Sequence, residues 1–141
     1  MIEEAKKLTI NDIEIGLTKE FKILITKSMV DEFAIISGDF NPLHMDDKYA
    51  ISTKFGKRVC HGMLLASFFS RIIGMYIPGK MALYLTQSLK FSSPCYIGDT
   101  ILVIGKVIDK SVSTKIITLE TKILRDDTIM VDGEAKVLVR D

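Results

Sequence analysis

Asp39 and His44 stand five positions apart in the stretch Ser37-Gly38-Asp39-Phe40-Asn41-Pro42-Leu43-His44. A carboxylate and an imidazole at that separation can exchange protons with a substrate, or jointly hold and activate a water. Asn41 lies between them and can orient a neighbour, while Pro42 stiffens the backbone. The same residue types also build an ordinary Asx turn, so the stretch alone leaves both roles open. His61-Gly62 is the second feature. Gly62 is expected at the start of a helix, where its N–H has no intrahelical acceptor and faces outward from the positive end of the dipole. Such a donor polarises a carbonyl oxygen. In acyl chemistry, losing one costs about 10²–10³ in rate. An isolated His-Gly can equally serve only to turn the chain, and His61 itself is read as a packing residue at the helix start.

Other candidates are weaker. Ser67 and Ser70 lie in a helical stretch without a G-x-S-x-G setting, so a serine nucleophile is disfavoured. They are expected to bond back to a carbonyl of the preceding turn. No GxGxxG or P-loop occurs, and Ile77-Pro78-Gly79-Lys80 is only a turn. Lys54, Lys57, Arg58 and Lys80 are expected on a solvated surface. Asp46, Asp47, Asp126 and Asp127 are expected in solvated turns.

The elements that position these residues follow from periodicity. Residues 15–25 alternate from Lys19 onward, placing Phe21, Ile23 and Ile25 on one strand face. A helix starts at Thr26 or Ser28, the latter with capping-box spacing to Asp31. Met29, Val30, Phe33, Ala34 and Ile36 form its stripe, and Gly38 stops it. Asp46 to Ala50 is a second short helix, followed by the polar loop 53–58. Gly62 to Tyr76 is the most apolar stretch, with Arg71 its only charge. Met, Leu and Ala favour helix, and an apolar pattern on nearly every side predicts burial all round. Such a helix would be about 22 Å long, and Pro78-Gly79 ends it. Residues 81–92, 100–109, 113–125 and 128–139 read as four strands of an antiparallel meander. The sum is an α+β fold with a sheet wrapping one helix.

The totals narrow the function classes. A chain of 141 residues suits one domain, spanning 1–141, with a sizeable core. A formal charge of +1 argues against wholesale nucleic-acid binding. Cys60 and Cys95 form no CxxC and no Cys/His cluster, so no metal site is expected, and both are read as partly buried thiols of a reducing compartment. The first residues lack the apolar segment of a signal peptide, and no run has the roughly 20 apolar residues of a membrane span. A cytoplasmic location is expected.

Asp39-x-Asn41-Pro42-x-His44, followed by His61-Gly62-Met63 and the apolar helix, resembles the hydratase motif of (R)-specific enoyl-CoA hydratases, the MaoC-like branch of the hot-dog fold. Tyr84 to Phe91, then Pro94 and Gly98-Asp99, is similar to the family's strand after its central helix. The resemblance covers roughly residues 12–140. It implies a single hot-dog domain, a curved antiparallel sheet around a long buried central helix. Asp39 and His44 would activate one water and add it across the double bond of a short-chain trans-2-enoyl-CoA, giving the (R)-3-hydroxyacyl product. The N–H of Gly62 would hold the thioester oxygen, and Asn41 would support the motif. Ser70 would lie near the pair, and Ile73 and Leu138 would line the acyl pocket. The family implies a homodimer and an acyl-CoA substrate, with acyl carrier protein as an alternative carrier, and no cofactor.

Two rivals remain at this stage. A hot-dog thioesterase generally places its carboxylate on or near the central helix, and Met63 to Tyr76 contains no Asp or Glu. A non-catalytic acyl-CoA-binding subunit would have no need of an intact Asp39 and His44.

Overall fold

The computed structural model describes residues 2–141. A short 3-10 turn at Ile10–Asp12 precedes β1 (Thr18–Leu24). Phe21 and Ile23 of β1 turn inward, and Ile25 is buried just beyond its end. α1 (Lys27–Ser37) starts at Thr26, whose hydroxyl accepts the Met29 N–H at 3.2 Å. The alternative start at Ser28 is not used: its hydroxyl turns to Glu32, and Asp31 is engaged by Lys27 and Arg58. Val30 and Ala34 are the buried face of α1. Ile36, expected in that stripe, is 84% exposed, because it lies roughly 200° around the helix from Ala34. Gly38 closes α1 in the left-handed conformation, φ 80°.

Two short helices follow, α2 (Pro42–Met45) and α3 (Asp47–Ser52), the latter capped by Asp46. α4 (Gly62–Arg71) continues without a break into a π-turn at Ile72–Tyr76, closed by the Ile77 N–H on the Ile72 carbonyl at 2.9 Å. No helix among the described residues is long and apolar enough to cross a membrane. Burial of α4 is not all round, as expected, but one-sided. Leu64, Leu65 and Phe69 face the core, whereas Met63, Ser67, Ser70 and Gly74 form an open stripe. Their spacing of four, three and four residues is that of one helix face, and three of the four are small. Arg71, the single charge of the stretch, lies over the Phe21 ring at 4.1 Å.

The remaining strands are β2 (Ala82–Gln87), β3 (Lys90–Phe91), β4 (Thr100–Ser111), β5 (Ile116–Arg125) and β6 (Thr128–Val139). The sheet order is β1-β4-β5-β6-β2, with β3 also on β6 and every pairing antiparallel. β4, β5 and β6 form the expected meander. The strand expected over 81–92 does not lead into it: it splits into β2 and β3, both paired with β6 on the far side of β5 from β4. The connection from β3 to β4 is longer than a hairpin turn and crosses the end of β5. Arg125 at that end donates to the Pro94 carbonyl at 3.1 Å and pairs with Asp99 at 2.6 Å, fixing the crossing.

Register shifts in β2, β4 and β6 let the sheet bend. Its concave face meets α4 in one core, where Phe69 and Ile72 pack with Val103, Val107, Leu119 and Val137. This curved antiparallel sheet around a central helix is the α+β hot-dog arrangement. Contact between the layers is closest at Gly105 of β4. A Cβ there would lie 2.5 Å from Cγ2 of Ile72. Gly105→Ala is therefore expected to destabilise the protein by about 1–3 kcal/mol through overpacking, read as a lower urea midpoint. An unchanged midpoint would show that Ile72 has room to retreat.

Candidate active site

The site is assembled by three segments that meet at the start of α4. The first is the turn after α1. The Ser37 hydroxyl accepts the Asp39 N–H at 3.1 Å, and Asp39 Oδ1 accepts the Asn41 N–H at 3.1 Å. This is an Asx turn, so the ordinary reading and the chemical one describe the same structure. Asp39 Oδ2 is left free. Asn41 caps α2, its Oδ1 accepting the Leu43 N–H at 3.0 Å, and Pro42 supplies the first helical residue. Asn41 thus supports the geometry of the motif through the backbone.

His44 is carried on α2, and its Nδ1 lies 2.6 Å from the Val59 carbonyl. A carbonyl only accepts, so Nδ1 carries a hydrogen, and in the neutral ring Nε2 holds the lone pair. Nε2 stands 3.9 Å from Asp39 Oδ2. That gap is too long for a direct hydrogen bond and fits a shared third group. The second segment, residues 58–60, clamps His44 from both ends. Arg58 Nε donates to the His44 carbonyl, and its guanidinium pairs with Asp31 at 2.9 Å. Arg58 was expected on a solvated surface, but only 6% of it is exposed. The acidic partner on α1 and the carbonyl on α2 explain its burial, and neither was visible as a neighbour in the sequence. Lys27 and Arg58 together hold the Asp31 carboxyl below the usual carboxylate range.

The third segment is His61-Gly62. His61 is 2% exposed, with its ring stacked on His44 at 4.1 Å and 29° and bordered by Phe33 at 4.9 Å. Its Nε2 is 3.0 Å from the Asp39 carbonyl. Asp39, His44 and His61 bring their donor atoms within 4.8 Å of one another. They are a poor chelating set. The rings lie nearly face to face, so their in-plane lone pairs do not converge, and His61 Nε2 is already engaged with the Asp39 carbonyl. Gly62 opens α4, and its N–H makes no hydrogen bond among the described residues. The ring of Phe91 packs against it, 2.8 Å from where a Cβ would sit.

His44 and Gly62 line one cavity of about 530 Å³. Phe55, Phe91, Pro94, Cys60 and Cys95 form much of its wall. The two thiols are unpaired and buried, and the Cys60 N–H donates to the Cys95 carbonyl at 2.7 Å. Cys60 and burial together push the Cys95 thiol far above its ordinary range. A second cavity of about 460 Å³ lies on the open stripe of α4, between Ser67 and Ser70 and the residues Phe33, Tyr84 and Gln87. Met63 borders both cavities. The Ser67 hydroxyl bonds back to the Leu64 carbonyl at 2.6 Å, as expected.

Two expected pocket residues line neither cavity. Ile73 is 1% exposed and belongs to the core, because it continues the helix face of buried Leu65 and Phe69 at spacings of four residues. Leu138 alternates with buried Val137 and Val139 on β6 and so points away from the core face.

A family model described as "MaoC like domain" matches residues 10–128. The chain belongs to the MaoC-like family. Among curated relatives, this MaoC-like chain is 37% identical to a 3-hydroxybutyryl-CoA dehydratase of Methylorubrum extorquens, covering 99% of this chain and 88% of the relative. It is also 37% identical to an (R)-specific enoyl-CoA hydratase of Aeromonas caviae, covering 92% and 98%. Among solved structures, an R-hydratase of Pseudomonas aeruginosa superposes with a TM-score of 0.93 at 31% identity, covering 99% of this chain and 90% of that one.

The cavity wall of this MaoC-like domain has a titratable anchor. Burial raises the Asp99 carboxyl, but the Tyr96 N–H at 2.9 Å and Arg125 outweigh it and hold it below the ordinary carboxylate range. A depressed native pKa contributes stability above the unfolded value and loses it as pH falls through the native one. Asp99→Asn should therefore be less stable at neutral pH, and its stability should decline less steeply below about pH 4. Urea titrations across pH check this; parallel curves for the two proteins would remove Asp99 from the account.

Proposed function

We propose that this protein is an (R)-specific enoyl-CoA hydratase, adding water reversibly to a short-chain trans-2-enoyl-CoA. The observation that carries the reading is the Nε2 of His44 facing Asp39 Oδ2, beside a cavity where a free helix N-terminal donor waits at Gly62. The names of the curated relatives support it. One water bound between Oδ2 and Nε2 meets two acceptors. As one acceptor takes a proton, the water oxygen bonds to C3, and the alkene electrons move through C2 onto the thioester oxygen. The Gly62 N–H, backed by the α4 dipole, stabilises that developing enolate. Return of a proton to C2 from the same pair gives syn addition, because acid and base stand on one side of the substrate. The chemistry needs no metal or redox group. The absence of any Asp or Glu on α4 weighs against thioester hydrolysis by a carboxylate on that helix.

The acyl chain is proposed to run along the open stripe of α4 past Met63 and Ser70, with the carrier arm in the cavity beside Phe91. The four-carbon substrate in the name of the Methylorubrum relative supports a short acyl preference. Coenzyme A is the proposed carrier, with acyl carrier protein as the alternative. A second copy of this chain is the proposed partner. β2 ends the sheet with an unpaired outer edge and exposes Leu83, Tyr84 and Leu85 next to the cavity on α4. Two adjacent unpaired thiols support a reducing, cytoplasmic setting.

Crotonyl-CoA is expected to lose its enoyl absorbance on mixing with the protein, giving (R)-3-hydroxybutyryl-CoA. Release of free coenzyme A would instead mark a thioesterase, and no turnover a binding subunit. Asp39→Asn keeps the shape but weakens the acceptor, and should cost about 10²–10⁴ in kcat with the fold intact. Near-normal hydration by that variant would sink the mechanism.

A further inference from the structure

His61 has no part in the steps above, yet it is the most enclosed polar side chain at the site. Three observations define it. Its Nε2 meets a carbonyl, that of Asp39, at 3.0 Å, so Nε2 must carry the hydrogen. Its Nδ1 is buried without a hydrogen-bond partner among the described residues. Its ring covers one face of His44, with Phe33 against it. We infer that His61 is a positioning residue, a neutral imidazole whose Nε2–H fixes the Asp39 backbone while its face fixes the His44 ring, so that one side chain sets the geometry of both halves of the acid/base pair. The inference rests on the hydratase reading of this site.

Neutrality follows from the surroundings. A proton on Nδ1 would create a buried cation with no acceptor. The charged or titratable groups around His61 are Asp39 on the turn after α1, His44 on α2 and Arg58 on the segment before α4. Burial lowers its pKa most, and the Asp39 carbonyl and carboxylate only partly offset this against His44 and Arg58. A neutral neighbour leaves His44 free to take and return a proton during turnover. A cation at stacking distance would oppose that step.

The tautomers are observable without any substrate. The chain contains two histidines, so a long-range ¹H–¹⁵N spectrum of the ring nitrogens is assigned with one variant. His61 is expected as the neutral Nε2–H tautomer, protonating only below its ordinary range, and the neutral ring of His44 as the Nδ1–H tautomer. Titration of His61 near its ordinary value, or an Nδ1–H tautomer for it, would overturn the inference even if every His61 variant misfolded, since a His44 variant serves for the assignment.

Kinetics supply the second test. His61→Phe keeps the ring and the volume but removes the donor. It should lower kcat on crotonyl-CoA by about 10²-fold, the scale of a small misplacement of catalytic groups, with KM little changed. His61→Gln places an amide N–H where Nε2 stood and should recover most of that loss. His61→Asn places its amide at the Nδ1 position and should not. Equal activity of the Gln and Asn variants, or a fully active Phe variant, would show packing alone. Absence of turnover by the unaltered protein would instead refute the hydratase reading, leaving the tautomer result to stand or fall separately.

Discussion

The hydrogen bond from His44 Nδ1 to the Val59 carbonyl governs the chemistry available at this site. It spends one ring nitrogen on the backbone and thereby leaves the other as a base. It also ties α2 to the segment that delivers the chain into α4. Arg58 strengthens the same tie from the main-chain side of His44, and the Val59 N–H returns a bond to the Leu43 carbonyl at 3.2 Å. A four-residue helix has too few internal bonds to hold a side chain such as His44 in place on its own. α2 is rigid because its neighbours in space, not in sequence, complete it.

α4 contributes in a different way. Its buried face anchors it against the sheet, and Gly105 permits the closest approach. Once anchored, its N-terminus cannot tilt away from the turn that holds Asp39. The free donor of Gly62 is therefore aimed by packing some distance along the helix, at Phe69 and Ile72, rather than by local bonds. The open stripe of Met63, Ser67, Ser70 and Gly74 is the complement of that anchoring: a helix held from one side leaves the other side for ligand or partner.

Much of this was legible in the sequence, and the failures share a cause. The settings of Asp39, Asn41, His44 and Gly62 were legible because each follows local rules: an Asx turn, a cap, a short helix and a helix start. The meander from β4 to β6 was legible from alternation and short turns. The far placement of β2 was not, since alternation says that a strand exists but not beside which strand it lies. Arg58 looked like one of several loop cations, and only the approach of Asp31 and the His44 carbonyl made it a buried clamp. His61 looked like packing because its two partners are a backbone carbonyl and another ring, neither of which leaves a mark in residue type. Ile73 faces the core and Leu138 the outer side of β6, directions set by which helix face and which strand face meet the core.

The two thiols in the cavity wall gain meaning from the electrophile proposed to lie beside them. An α,β-unsaturated thioester is open to attack by soft nucleophiles, and a thiolate in its path would form a stable thioether and end the catalyst's life. The nucleophilic form of cysteine is the thiolate. Cys60 and Cys95 are both buried in that wall, and the neighbouring thiol and burial keep the proton on Cys95. Held so, the sulfur offers the substrate a polarisable, compliant surface without its reactivity. At Cys95 the wall can stay soft and still be unreactive, with water left as the addend the proposed chemistry uses.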